Sequence, residues 1–194
     1  MTIDIGGRFY TQSDSLSHIA WVKDLVDQGI QRVYLTKHDR KWEIRRMAPL
    51  NYVTKDAPWT IGITSFRLEG RPSGLSYEYT SPETMLTKHD LPAFLQGDTV
   101  RLTVTVESDS AAWTFLHWGD GNFHQREAFY RMSPTTFVRE WPIPTKSSRD
   151  PVVLPAAADV ISMPSLFGDM LAPYNSCAWV LPYVVMYAQS PDRP

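Results

Sequence analysis

The chain has 194 residues, 43% hydrophobic and 21% charged, with a formal net charge of −2. That length suits one substantial core rather than two full domains, and the composition excludes disordered and fibrous classes. A near-balanced charge supplies no general attraction to nucleic acid or to an anionic membrane, so either contact needs a local patch.

The first residues, Met1 to Gly7, lack the basic and apolar regions of a signal peptide, and the single Cys177 has no partner for an internal disulfide. Both favour a reducing, intracellular setting or a place in a soluble particle. No run approaches the roughly 18 apolar residues of a membrane span. The best, 177–188, is interrupted by Pro182.

In chain order, Ser13 or Asp14 offers a capping oxygen, Leu16, Ile19, Val22, Leu25 and Val26 recur at helical spacing, and Gly29 supplies a left-handed stop. An amphipathic helix is predicted over 14–28. Residues 31–36 and 41–47 are strand-like runs about the polar turn 37–40, a hairpin in which Trp42, Ile44 and Arg46 share a face. Segments 58–68 and 75–80 flank Gly70-Arg71-Pro72-Ser73-Gly74, a tight connection between two more strands.

Alternation over 99–107, 113–118, 123–132 and 137–143, with a turn at Gly119 to Asn122, predicts a meander of antiparallel strands with one buried face. Residues 144–176 carry many prolines and read as long surface connections, and 177–188 closes the chain as a buried strand. About nine strands after one early helix predict a mainly β fold, an antiparallel β-sandwich of immunoglobulin-like or jelly-roll type with an N-terminal amphipathic helix. A single domain over 1–194 is expected, with a helix and hairpin elaboration over about 1–55 and Pro-rich loops over 144–176. The Leu-Thr-Lys-His-Asp run at 35–39 recurs at 86–90 without matching flanks, as two polar turns do by coincidence.

Three constellations carry chemical potential. His117, Asp120 and His124 flank one tight turn, which can bring two imidazoles and a carboxylate toward a metal ion; the competing reading is a polar strand face beside an ordinary Asp turn. Lys37, Arg40, Lys41, Arg45 and Arg46 surround Trp42 on the first hairpin, a cation and aromatic mixture that binds phosphates or guards a sheet edge against aggregation. Trp118, Phe123 and Trp141 offer flat rings for a sugar or a protein partner, or fill the core. The neighbours His38-Asp39 and His89-Asp90 lack a nucleophile to serve, and Cys177 lies in an apolar run that suits an inert thiol.

The order Leu-His-Trp-Gly-Asp-Gly-Asn-Phe over 116–123, then Met132, Trp141 and Pro144, resembles starch-binding β-sandwich modules. Trp118 to Gly121 is similar to the Gly-Asp-Gly turn of polycystic-kidney-disease-type domains. Each resemblance spans a short part of the chain and carries no binding residue over. The sequence therefore points first to a non-enzymatic structural or protein-interaction subunit of a homo-oligomer or larger assembly, of the kind viral and phage structural proteins provide. Its expected partners are other protein chains, copies of itself among them, with no cofactor, membrane or nucleic acid. A carbohydrate or small-ligand module is the alternative, and a metal-dependent enzyme the third reading.

Overall fold

The computed structural model describes residues 1–12, 20–57, 60–108, 111–119, 124–144, 150–168 and 171–187. The chain opens with β1 (Thr2–Gln12) and β2 (Ala20–Ile30), an antiparallel pair along its whole length. The helix predicted over 14–28 is therefore replaced by strand from residue 20 onward, and residues 13–19 lie outside the described residues. Of the residues read at helical spacing, Val22 and Val26 stand four apart, which suits either period, whereas Leu25 falls on the opposite face of the strand. The β-branched side chains of Val22 and Val26 and the matching run in β1 settle it as strand.

Next come β3 (Val33–His38) and β4 (Lys41–Met47), which form a two-stranded sheet of their own, bridged at its base from Met47 to Leu86. Then follow β5 (Leu50–Thr54), β6 (Ile61–Arg71), β7 (Ser76–Tyr79), β8 (Ala93–Leu95), β9 (Thr99–Ser108), β10 (Ala112–Gly119) and β11 (His124–Ala128). The chain continues through β12 (Tyr130–Arg131), β13 (Thr136–Pro142), β14 (Val152–Ser162), the short α1 (Met163–Phe167) and β15 (Ser176–Met186). One sheet runs β1-β2-β5-β15-β14-β10-β11 with β8 beside the end of β15; a second runs β12-β13-β9-β6-β7.

The predicted meander over 99–143 is really a zigzag between these two sheets. The run predicted as one strand over 123–132 breaks at buried Phe129, after which β12 joins the other sheet. Likewise the stretch read as Pro-rich loops over 144–176 contains β14, a central strand. Its Pro155 opposes Pro182 of β15, so neither demands an N–H from the other. Pro182 also falls where the β5 pairing has ended at Val180 and the β8 pairing has yet to begin at Val184.

One core lies between the sheets. Phe66 of β6 stacks on Trp179 of β15 with centroids 6.4 Å apart, and Trp141 of β13 meets Tyr183 edge-on at 6.1 Å. Alternate residues Val100, Leu102, Val104 and Val106 of β9 face Leu154, Ala156, Ala158 and Val160 of β14 across the same buried cluster. Strand alternation thus explains which residues are inside.

The larger sheet curls into a half-barrel away from this core. Along the sheet, β1 and β15 are three strand spacings apart, roughly 14 Å. Phe9 and Tyr174, on the face opposite the core, nevertheless bring their rings to 5.0 Å. The helix α1 closes the concave side, where the buried Lys23 ammonium donates to the carbonyls of Pro164 at 2.8 Å and Ser165 at 3.0 Å. Of the predicted architecture, the mainly β, antiparallel character stands, and the N-terminal amphipathic helix does not.

Candidate functional site

The concave face gathers charge that the sequence pattern concealed. On it Phe115 pairs with Asp159, and His117 pairs with Arg126 on one side and Ala157 on the other. His117 Nε2 stands 3.5 Å and Arg126 Nη2 3.8 Å from the same Asp159 Oδ2, and the Arg126 guanidinium covers the Phe115 ring at 3.9 Å. From β2, Asp27 accepts a 2.9 Å hydrogen bond from Thr54 Oγ1, which in turn accepts the Ser176 N–H at 2.8 Å.

These groups feel one another. Burial raises the Asp27 pKa above the ordinary carboxylate value, the Thr54 bond opposes that rise, and the Asp159 charge adds to it. Burial likewise raises Tyr174, with the negative fields of Asp159 and Asp27 in the same direction. Two carboxylates, a guanidinium, an imidazole and a phenol on one curled wall are competent to hold a polar ligand by hydrogen bonds. Covalent catalysis has no support from Cys177, which faces the core and whose thiol burial pushes up to about 11.

Of the predicted metal group, His117 lies on this wall beside Asp159, whereas Asp120 and the side chain of His124 lie outside the described residues. Among the described residues, no three metal-ligating side chains converge. Of the predicted ring platform, Trp141 is 1% exposed between the sheets and Trp118 packs partly buried against the same core, so these two do not form an open surface; Phe123 lies outside the described residues. A 440 Å³ depression on the smaller sheet, lined by Arg101, Tyr130, Met132, Val138, Arg139 and Glu140, has one ring, and Arg139 already sits 5.4 Å over it. The turn pairs are local: His38 meets Asp39 at 3.3 Å in the open, and Asp90 accepts from Thr87, which lowers its pKa.

The five predicted basic residues all lie on the β3–β4 hairpin but not on one face. A bulge at Arg45 changes the register between Tyr34 and Leu35, so Trp42 and Ile44 share a face with Lys37 and Leu35, while Arg46 turns to Tyr34. The predicted common face of Trp42, Ile44 and Arg46 is thereby corrected. Lys37 lies 5.9 Å over Trp42, Arg46 5.5 Å over Tyr34, and Arg45 binds Thr36 at 2.9 Å and Glu43 at 3.2 Å. Lys41 pairs across from His38 on the Tyr34 side, and Arg40 occupies the tip.

Sequence reasoning missed Asp27, Asp159, Tyr174 and Arg126. The available signal was Asp159 itself, a lone carboxylate inside the apolar run 152–161, which a buried strand retains only with partners. No protein-family model matches the chain, and no curated protein or solved structure is significantly similar to it.

Proposed function

We propose that this chain is a non-enzymatic β-sandwich subunit that works through protein–protein contact, assembling with copies of itself. One observation carries the reading. Of the seventeen exposed large hydrophobics among the described residues, eleven lie between Met1 and Ile44, so apolar surface is concentrated on the two N-terminal hairpins rather than scattered. Such concentration on a soluble surface marks an interaction face. Two sheets around one core support the sandwich description.

Light scattering coupled to size exclusion tests it. A mass that is a multiple of the chain mass is expected at micromolar concentration, and a monomer at about 100 μM, where contacts of roughly 1,000 Å² normally persist, overturns it.

The concave cluster favours a second reading, a small polyhydroxylated ligand held by Asp27, Asp159 and Arg126. An oligosaccharide panel read by thermal shift is the check: a hit lost in Asp159→Asn supports it, and no hit at millimolar concentration removes it.

A further inference from the structure

Among the described residues the β3–β4 hairpin, an arm, joins neither large sheet and is tied to the body at its base, where Met47 bridges Leu86. Every residue of β4 except Met47 is exposed, and Trp42 and Ile44 are 66% and 59% exposed. Leu35 joins them on one face, an aliphatic and indole stripe with Lys37 at its edge. A lone two-stranded ribbon is marginal in water, so a partner that covers one face stabilises it.

The same chain presents a second uncovered face that matches it. On β1–β2, Tyr10, Val22, Val26 and Ile30 lie on one side with Gly6, Asp4, Asp24, Arg8 and Gln28 between them. This side continues the core face of the larger sheet, since Gln28 pairs with Val53, which packs on the core. The smaller sheet ends before it covers these positions, and Val22, Val26 and Ile30 remain 43–44% exposed. Strand residues designed for an interior are thus left facing outward.

Charge sets the arm against the rest of the chain, and Asp4 and Asp24 stand against Arg8 on the receiving face. The arm holds five cations, Lys37, Arg40, Lys41, Arg45 and Arg46, against Asp39 and Glu43, a net of +3. The remaining chain then has 14 basic and 19 acidic residues, a net of −5. An arm attracted to the body of its own kind follows from that division. Within one chain the two faces stay exposed although only residues 31 and 32 separate β2 from β3, so the arm does not fold back onto its own β2.

Resting on the assembly reading above, we propose that the apolar face of the β3–β4 arm, Leu35, Trp42 and Ile44, docks on the Val22, Val26 and Ile30 face of a second copy, reciprocally across a twofold axis. A self-complementary exchange of this kind closes at two chains. The arm is roughly 20 Å by 10 Å, so two reciprocal contacts cover roughly 800 Å² counted flat, and interdigitated side chains bring this to the lower range of specific interfaces. A phosphate backbone offers nothing to the Leu35 and Ile44 aliphatics at the centre of the stripe, which is why a protein face is chosen over a nucleic acid.

Light scattering on the full chain and on folded surface variants tests the proposal, with far-UV circular dichroism to verify the fold. Trp42→Ala/Ile44→Asp on the arm and Val26→Asp on the receiving face each convert the dimer to monomer, with at least a tenfold weaker association. Lys37→Glu/Arg40→Glu and Asp4→Lys/Asp24→Lys associate weakly alone, and mixing them restores a dimer containing one of each. If the wild type is a monomer, the assembly reading falls and the docking with it. If the wild type is oligomeric and the arm variant keeps its mass, or only the Val26→Asp variant does, the docking falls and the assembly reading stands. Unchanged mass together with arm-dependent binding to phosphatidylserine vesicles or to single-stranded RNA overturns it in favour of an anionic partner.

Discussion

At the scale of single residues, the concave wall is held in place by groups whose charge is out of keeping with their surroundings. Lys23 keeps its terminal amine buried because the Pro164 and Ser165 carbonyls of α1 accept hydrogen bonds from it. The native pKa of Asp27 is raised by burial and by the neighbouring Asp159 carboxylate, and the Thr54 and Ser176 hydroxyls offset that only in part. A carboxyl whose native value exceeds its unfolded value contributes stability below the unfolded value, near 3.8. That contribution is lost as pH rises through the native value. Ionised Asp27 therefore opposes folding at neutral pH. Asp27→Asn keeps the oxygen that accepts from Thr54 Oγ1 and removes the charge, so the variant melts higher than wild type at pH 7 and the difference vanishes below about pH 3.8. Melting temperature against pH measures it, and a variant that melts lower at pH 7 contradicts the account.

Among the elements, the arm turns through two residues, Asp39 and Arg40, with φ of 45° and 68°. Both lie in the left-handed region that a two-residue hairpin of this hand requires and that an arginine side chain resists. Arg40→Gly relieves that strain and stabilises the arm by about 1 kcal/mol, read as slower amide exchange over 33–47 with the global melting temperature unchanged. The hairpin was legible in the sequence because its strands are short, alternating and joined by a polar turn. The faces of its side chains were not, since the bulge at Arg45 depends on pairing rather than on composition. β2 was misread because its apolar residues lie on both faces of the strand, Val22 and Val26 on one and Leu25 on the other, and so fall at helical steps of three and four. β14 was misread because its prolines signal loops, and only the register that opposes Pro155 to Pro182 makes them harmless in a strand. The candidate site suffered most: Asp27 stands more than a hundred residues before Asp159 and Tyr174, and only the folded sheet brings it to them.

For the molecule as a whole, the shared core decides how it unfolds. The main core is shared: Phe66, Val100, Leu102, Val104 and Trp141 of the smaller sheet are buried in one cluster with Ala156, Ala158, Trp179, Leu181 and Tyr183 of the larger one. Separating the sheets exposes both inner faces at once, so neither survives alone and loss of one side removes the other. The same dependence follows from chain order, because the path crosses between sheets from β5 to β6, β7 to β8, β8 to β9, β9 to β10, β11 to β12 and β13 to β14. Phe66→Ala, at a ring 1% exposed and stacked on Trp179, removes about 3–5 kcal/mol from both sheets together. In urea, tryptophan fluorescence and far-UV circular dichroism should trace one coincident transition in wild type, and Phe66→Ala should shift both midpoints equally with the slope preserved. Two separated transitions would mean that each sheet holds itself, against the packing described. Refolding should be slow, in milliseconds to seconds, because pairings such as β5 with β15 join segments more than a hundred residues apart and must close long loops before they are rewarded.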